Sequence, residues 1–150
     1  MRLQSAIFYL EETLLAPGCD AVGAEKLLSL LKMESVWLAT VSKINRSEAE
    51  EALRERRLLE KFRFLLPQAE AYAPIDSEEI LIKAMRRLHS QKVDTVVFCA
   101  TLRQVETAKA AGFRAVAVKG REAEWDAMRE CADYALERYD DWFTMDNGVS

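Results

Sequence analysis

Val96-Val97-Phe98-Cys99-Ala100-Thr101-Leu102-Arg103-Gln104-Val105-Glu106-Thr107-Ala108-Lys109-Ala110-Ala111-Gly112-Phe113-Arg114-Ala115-Val116-Ala117-Val118 is the stretch that decides the fold. It opens on a short apolar run, passes into an amphipathic helical pattern and returns to an apolar run. Strands are expected at 95–99 and 115–118, with a helix over 101–111 that stops at Gly112, where glycine relieves left-handed backbone strain. Apolar runs alternating with helical segments are the signature of a parallel sheet flanked by helices.

The same alternation extends on both sides. Further strands are expected at 5–10 and 35–41, with a weak edge strand at 134–136. Behind the Pro17-Gly18 turn, residues 24–31 place Leu27, Leu28, Leu30 and Leu31 on one helical face. Ser47 opens a second helix with Glu50 three positions on, the capping-box spacing, and dense Arg and Glu through Arg57 make most of it a solvated face. Asp76 or Ser77 starts a third, with Glu79 in its first turn and Ile80, Leu81, Ala84, Met85 and Leu88 at helical spacing. The expected architecture is one α/β domain over 1–150: a three-layer, Rossmann-like open parallel sheet with helices on both faces. Ligands on such sheets bind at the carboxyl ends of the strands, which selects the turns at 9–13, 41–46 and 99–104.

Composition narrows the function. The 150 residues are half hydrophobic, enough for a core without staples. A net charge of -4, from 21 basic and 25 acidic residues, gives no single-sign field, so neither nucleic acid nor an anionic membrane is an expected partner. Cys19, Cys99 and Cys131 are odd in number and lack metal-ligand spacing, which fits a reducing cytoplasm. No apolar segment approaches the ~20 residues that span a bilayer, and the N-terminal run is too short for a signal peptide, so a soluble, non-exported protein is expected. With five glycines there is neither Gly-x-Gly-x-x-Gly nor a phosphate loop.

Ala6-Ile7-Phe8-Tyr9-Leu10-Glu11-Glu12-Thr13 resembles the first motif of the haloacid dehalogenase (HAD) superfamily, an apolar strand followed by Asp-x-Asp-Gly-Thr, with Tyr9 and Glu11 where the two aspartates stand. Leu38-Ala39-Thr40-Val41-Ser42-Lys43 is similar to the second motif, a strand ending in the Ser or Thr that holds phosphate. Ala73-Pro74 stands where the third motif has its lysine, and in the 96–118 run Cys99, Ala100 and Gln104 occupy the positions of metal-binding carboxylates. The resemblance covers roughly residues 5–142, and the spacing between the first two motifs is too short for the family's helical cap. In this family the first aspartate attacks phosphorus, the second exchanges a proton with the leaving group, Mg²⁺ sits on the acids, and the lysine neutralises charge. The resemblance therefore implies an uncapped core with degenerate catalytic positions at Tyr9, Glu11, Ala73 and Ala100, and Mg²⁺ as cofactor only for a hydrolase.

The residues themselves carry blander readings beside this. Tyr9 reads as a packing aromatic before a ligand-contacting hydroxyl, Glu11 and Glu12 as water-exposed turn residues, Cys99 as an inert small hydrophobe and His89 as solvated. The ligand-binding candidates are Thr13, Ser42, Lys43, Arg46 and Thr101, a set of hydroxyls and two cations suited to an anion. Trp142-Phe143-Thr144-Met145 either packs on the core or presents an interface. Three functions follow: a degenerate HAD-like protein acting through a protein partner or as a homo-oligomer; a metal-independent binder of a phosphorylated small molecule; and a divergent hydrolase using Glu11 or another acid.

Overall fold

The computed structural model describes residues 3–120 and 122–144. In chain order it runs β1 (Ser5–Tyr9), α1 (Leu10–Thr13), α2 (Ala21–Met33), β2 (Trp37–Ser42), α3 (Arg46–Glu55), β3 (Phe64–Pro67), α4 (Gln68–Ala71), α5 (Glu78–Arg87), β4 (Thr95–Cys99), α6 (Leu102–Ala110), β5 (Arg114–Val118), α7 (Glu122–Cys131), β6 (Tyr134–Leu136) and a 3₁₀ segment, Tyr139–Thr144. The strands form one sheet in the order β3-β2-β1-β4-β5-β6, parallel at every pairing. This is the doubly wound arrangement, whose direction reverses between β1 and β4.

Strand alternation divides the interior into two cores. Ala6 and Phe8 of β1, Val96 and Phe98 of β4, and Val116 and Val118 of β5 face α2, α3 and the 3₁₀ segment. Ile7, Tyr9, Val97, Cys99, Ala115 and Ala117 face α5, α6 and α7. Both faces of the central strands are covered, so they read as continuous apolar runs. Phe8 and Phe98, paired in register, stack at 4.2 Å between centroids with 7° between planes. Trp142 closes over Phe98 at 5.8 Å, so it packs on the core, whereas Phe143 is exposed and Met145 lies outside the described residues. Between β1 and β2 stand only α1 and α2.

The helix boundaries differ from the sequence reading where capping chemistry intervenes. Asp20 caps α2, its carboxylate accepting from the Gly23 amide, so the helix begins at Ala21 and runs on to Met33. Asn45, not Ser47, caps α3 by accepting from the Glu48 amide, and Ser47 falls inside the first turn. Ser77, one of the two expected starts, caps α5; Thr101, expected as the first helical residue, caps α6, and Gly112 follows α6 at φ +95°. Ser35 stands at φ +64°, which delays β2 to Trp37. The elements that go unread include the single turns of α1 and α4, the four-residue edge strand β3, which ends in proline, and α7, whose buried side chains among the described residues are Trp125 and Met128. No helix among the described residues is long and apolar enough to cross a membrane.

Two tyrosines sit inside the cores. Burial pushes the Tyr9 phenol far up, with the negative forms of Cys99, Asp76 and Glu12 adding to it, and burial does the same to Tyr139. Both are neutral in the fold and ionise near pH 10 once unfolded, so their contribution to stability is intact below pH ~10 and is lost as pH rises above it. In a spectrophotometric alkaline titration, two of the four tyrosines are expected to ionise only together with loss of circular dichroism. Reversible ionisation of all four with the fold intact would refute this placement.

Candidate functional site

In doubly wound sheets the crevice lies at the strand reversal, here between β1 and β4, at the carboxyl ends where the turns after β1, β2 and β4 meet. β1 runs without a loop into the single turn of α1, and this projects Glu11 and Glu12 across the sheet edge. Glu11 Oε2 accepts from the backbone amides of Lys43, at 2.7 Å, and Ile44, at 2.9 Å. Two successive amides converging on one anionic oxygen make a small anion nest, and a carboxylate of this chain fills it. Glu12 Oε1 accepts from Gln104 Nε2 at 2.8 Å, while Gln104 Oε1 accepts from the Ala100 amide at 2.9 Å. Glu12 Oε2 also lies 3.9 Å from Lys43 Nζ. Glu11 and Glu12 are therefore not free turn residues in water: between them they tie the first turn to the other two.

The remaining candidates are drawn into internal contacts. Ser42 is fully buried and its hydroxyl donates to the Ile44 carbonyl at 2.9 Å. Thr13 donates to the Tyr9 carbonyl at 2.7 Å, and its own carbonyl accepts from the Tyr139 hydroxyl at 2.6 Å. The Thr101 hydroxyl accepts from the Gln104 amide as the cap of α6. Arg46 pairs with Glu70, donating from Nε and Nη2, the latter at 2.7 Å, and holds the Glu70 carboxyl below its usual range. Lys43 keeps a half-exposed side chain beside Glu12. Of the five candidates Lys43 thus keeps an exposed side chain, while Ser42, Thr13, Arg46 and Thr101 are spent on internal partners.

Tyr9 ends β1 at 1% exposure, and its hydroxyl makes no hydrogen bond. Ala73 and Ala100 are buried methyl groups, at 4% and 3%. Cys99 is fully buried and burial raises its thiol well above the ordinary value, while His89 is exposed at φ +56°. Among the described residues no group of three or more His, Cys, Asp or Glu side chains is placed to hold a metal ion. The contacts that sequence reasoning missed, Glu11 to the β2 turn, Glu12 to Gln104 and Glu70 to Arg46, join residues 24 to 92 positions apart. No local pattern signals them.

The sequence pattern of the haloacid dehalogenase-like hydrolase family matches residues 20–118, a stretch that starts after β1 and α1. A comparison with curated proteins finds no match. Among solved structures, a candidate beta-phosphoglucomutase from Thermotoga maritima superposes with a TM-score of 0.70 at 25% identity, over 79% of this chain and 56% of that one. A candidate phosphoglycolate phosphatase from Haemophilus somnus 129pt gives 0.72 at 13% identity, over 81% and 55%. A haloacid dehalogenase-like hydrolase family protein from Streptococcus pneumoniae gives 0.74 at 11% identity, over 95% and 97%. The chain thus spans about half the length of the first two and nearly all of the third. The doubly wound sheet, the crevice at its reversal and the match over 20–118 agree: the chain belongs to the haloacid dehalogenase-like hydrolase family.

Proposed function

We propose that this chain is a HAD-type core that does not itself hydrolyse phosphate esters and acts by binding a partner. The observation that carries the reading is the crevice filled from within, with the Glu11 carboxylate on the Lys43 and Ile44 amides. A phosphoryl oxygen entering there must displace a carboxylate of the same charge. At position 9 the family chemistry needs an ionised carboxylate nucleophile, whereas a phenol whose ionisation is pushed far up is neutral and buried. Magnesium needs about six oxygen ligands in octahedral geometry. The crevice offers a neutral phenol, the Ala100 methyl group and two carboxylates already engaged, so the residues present do not fit the ion. No lysine stands at position 73 to neutralise developing charge.

A second reading, a divergent hydrolase with Glu11 or Glu12 as its acid, is favoured by the family match and by the phosphatase and phosphoglucomutase names of the neighbours. The third, a metal-independent binder of a phosphorylated small molecule at Ser42 and Lys43, requires Glu11 to leave the nest and Arg46 to leave Glu70.

The deciding assay is hydrolysis of an aryl phosphate and a panel of phosphorylated metabolites, with Mg²⁺ and with chelator, by the native chain and by a Tyr9→Asp, Ala100→Asp variant. No turnover by the native chain is expected. Mg²⁺-dependent turnover that Glu11→Gln abolishes would overturn the reading in favour of the hydrolase. Glu11→Ala is separately expected to lower the unfolding free energy by about 1–3 kcal/mol, since it leaves two amides without their charged acceptor. Denaturant unfolding measures this, and an unchanged midpoint would count against the clasp.

A further inference from the structure

At the amino end of β2, the opposite end of the strand from Ser42, an aromatic ring and three cations meet around one cavity. Trp37 opens β2 and is 50% exposed, whereas Trp125 and Trp142 are buried. With Lys32 from the last turn of α2 and with Glu60, Lys61, Phe62 and Arg63, it lines a cavity of about 380 Å³. Sites for small ligands run from ~300 to ~1,000 Å³, so this one has room for a compact molecule. Phe62 supplies an apolar wall and is itself anchored edge-on against Phe8 of the core, at 6.0 Å between centroids.

The charges around the cavity are unbalanced. Elsewhere cations stand against carboxylates, Arg46 on Glu70, Lys83 on Glu79 and Lys109 on Asp133. Among the described residues none of Lys32, Lys61 and Arg63 is in an ion pair. Lys32 Nζ donates to the backbone carbonyl of Glu60 at 3.0 Å, which ties α2 to the opposite wall and leaves the ammonium charge without a counter-charge. The Arg63 guanidinium carbon lies 4.4 Å from the centroid of the Trp37 ring. A guanidinium against a ring keeps its N–H donors, which lie in its own plane, for an anion.

We propose that this cavity binds a small aromatic carboxylate, its ring against Trp37 and Phe62 and its carboxylate among Lys32, Lys61 and Arg63. The planar fork of Arg63 matches a carboxylate, and the half of Trp37 still open to water gives a flat group a surface to stack on. The length of β2, about 16 Å at ~3.3 Å per residue, separates this site from the crevice. The two share no residue, so the hydrolysis assay leaves the proposal untouched.

Titration of the full ¹⁵N-labelled chain with 2-naphthoate tests it, followed at the indole N–H signals of the three tryptophans. Trp37→Phe assigns the signal of interest by its loss. A saturable shift at Trp37 is expected. 2-Naphthamide, which keeps the ring and lacks the charge, is expected to bind about tenfold or more weakly. Decahydro-2-naphthoate, which keeps the charge and lacks the π-face, is expected to bind about threefold or more weakly. The Lys61→Gln, Arg63→Gln double variant is expected to lose about tenfold or more for 2-naphthoate, with circular dichroism as the check on folding. The three-ligand comparison on the native chain needs no variant to fold. No saturable shift at Trp37 overturns the proposal. So does 2-naphthamide or decahydro-2-naphthoate binding as tightly as 2-naphthoate, because the cavity then selects for neither charge nor ring as argued.

Discussion

One carboxylate oxygen shared by two consecutive backbone amides fixes the arrangement of the crevice. Glu11 reaches from the turn after β1 to the amides of Lys43 and Ile44 beyond β2, and the next residue, Glu12, reaches the opposite way to Gln104 at the start of α6. The turns after three neighbouring strands are thereby tied by two adjacent side chains of a one-turn helix. Backbone amides at the carboxyl edge of a parallel sheet point outward and need an acceptor, which in many doubly wound proteins is a ligand's anion. Here the chain supplies the acceptor itself.

The rest of the fold gives those side chains a rigid base. β1 and β4 are buried on both faces, and the Phe8-Phe98 stack joins them across the reversal of the sheet. Because strand register fixes where each turn begins, the buried lattice of Ala6, Phe8, Val96 and Phe98 determines the reach required of Glu11 and Glu12. Ala73 is absorbed into the apolar interior on the α5-α6 side and Ala100 is buried beside Gly120, so these two positions carry methyl groups in place of charge. Family membership is compatible with the proposed lack of turnover in these terms: the sheet depends on buried periodicity, and the chemistry depends on a few side chains at its edge.

Much of the fold was legible in the sequence for the same reason. The strands at 95–99 and 134–136 fall where the apolar runs predict, α5 is capped by Ser77, one of the two starts expected, and α6 begins within a residue of the expected 101. What escaped was thin in local signal: the single turns of α1 and α4, β3, an edge strand that needs few apolar residues, and α7, with two buried side chains among the described residues. The cap of α3 was misplaced because Asn45 and Ser47 are both good caps, and only the Glu48 contact distinguishes them. The site entered the sequence reading as a set of substitutions, Tyr9, Ala73 and Ala100, at positions given by resemblance alone. It was illegible as a set of contacts. That Glu11 binds amides beyond β2, and that Arg46 turns to Glu70, are consequences of side-chain reach across the sheet, which no spacing within one motif encodes.

The central claim is that the amide nest is filled by the chain's own carboxylate, and the direct measurement is a titration of ¹⁵N-labelled protein with inorganic phosphate, followed at the Lys43 and Ile44 amides. The account predicts no saturable shift at these two amides in the native chain and a saturable one in Glu11→Ala. Saturable binding by the native chain at the same amides would show the nest open to a ligand and contradict the account.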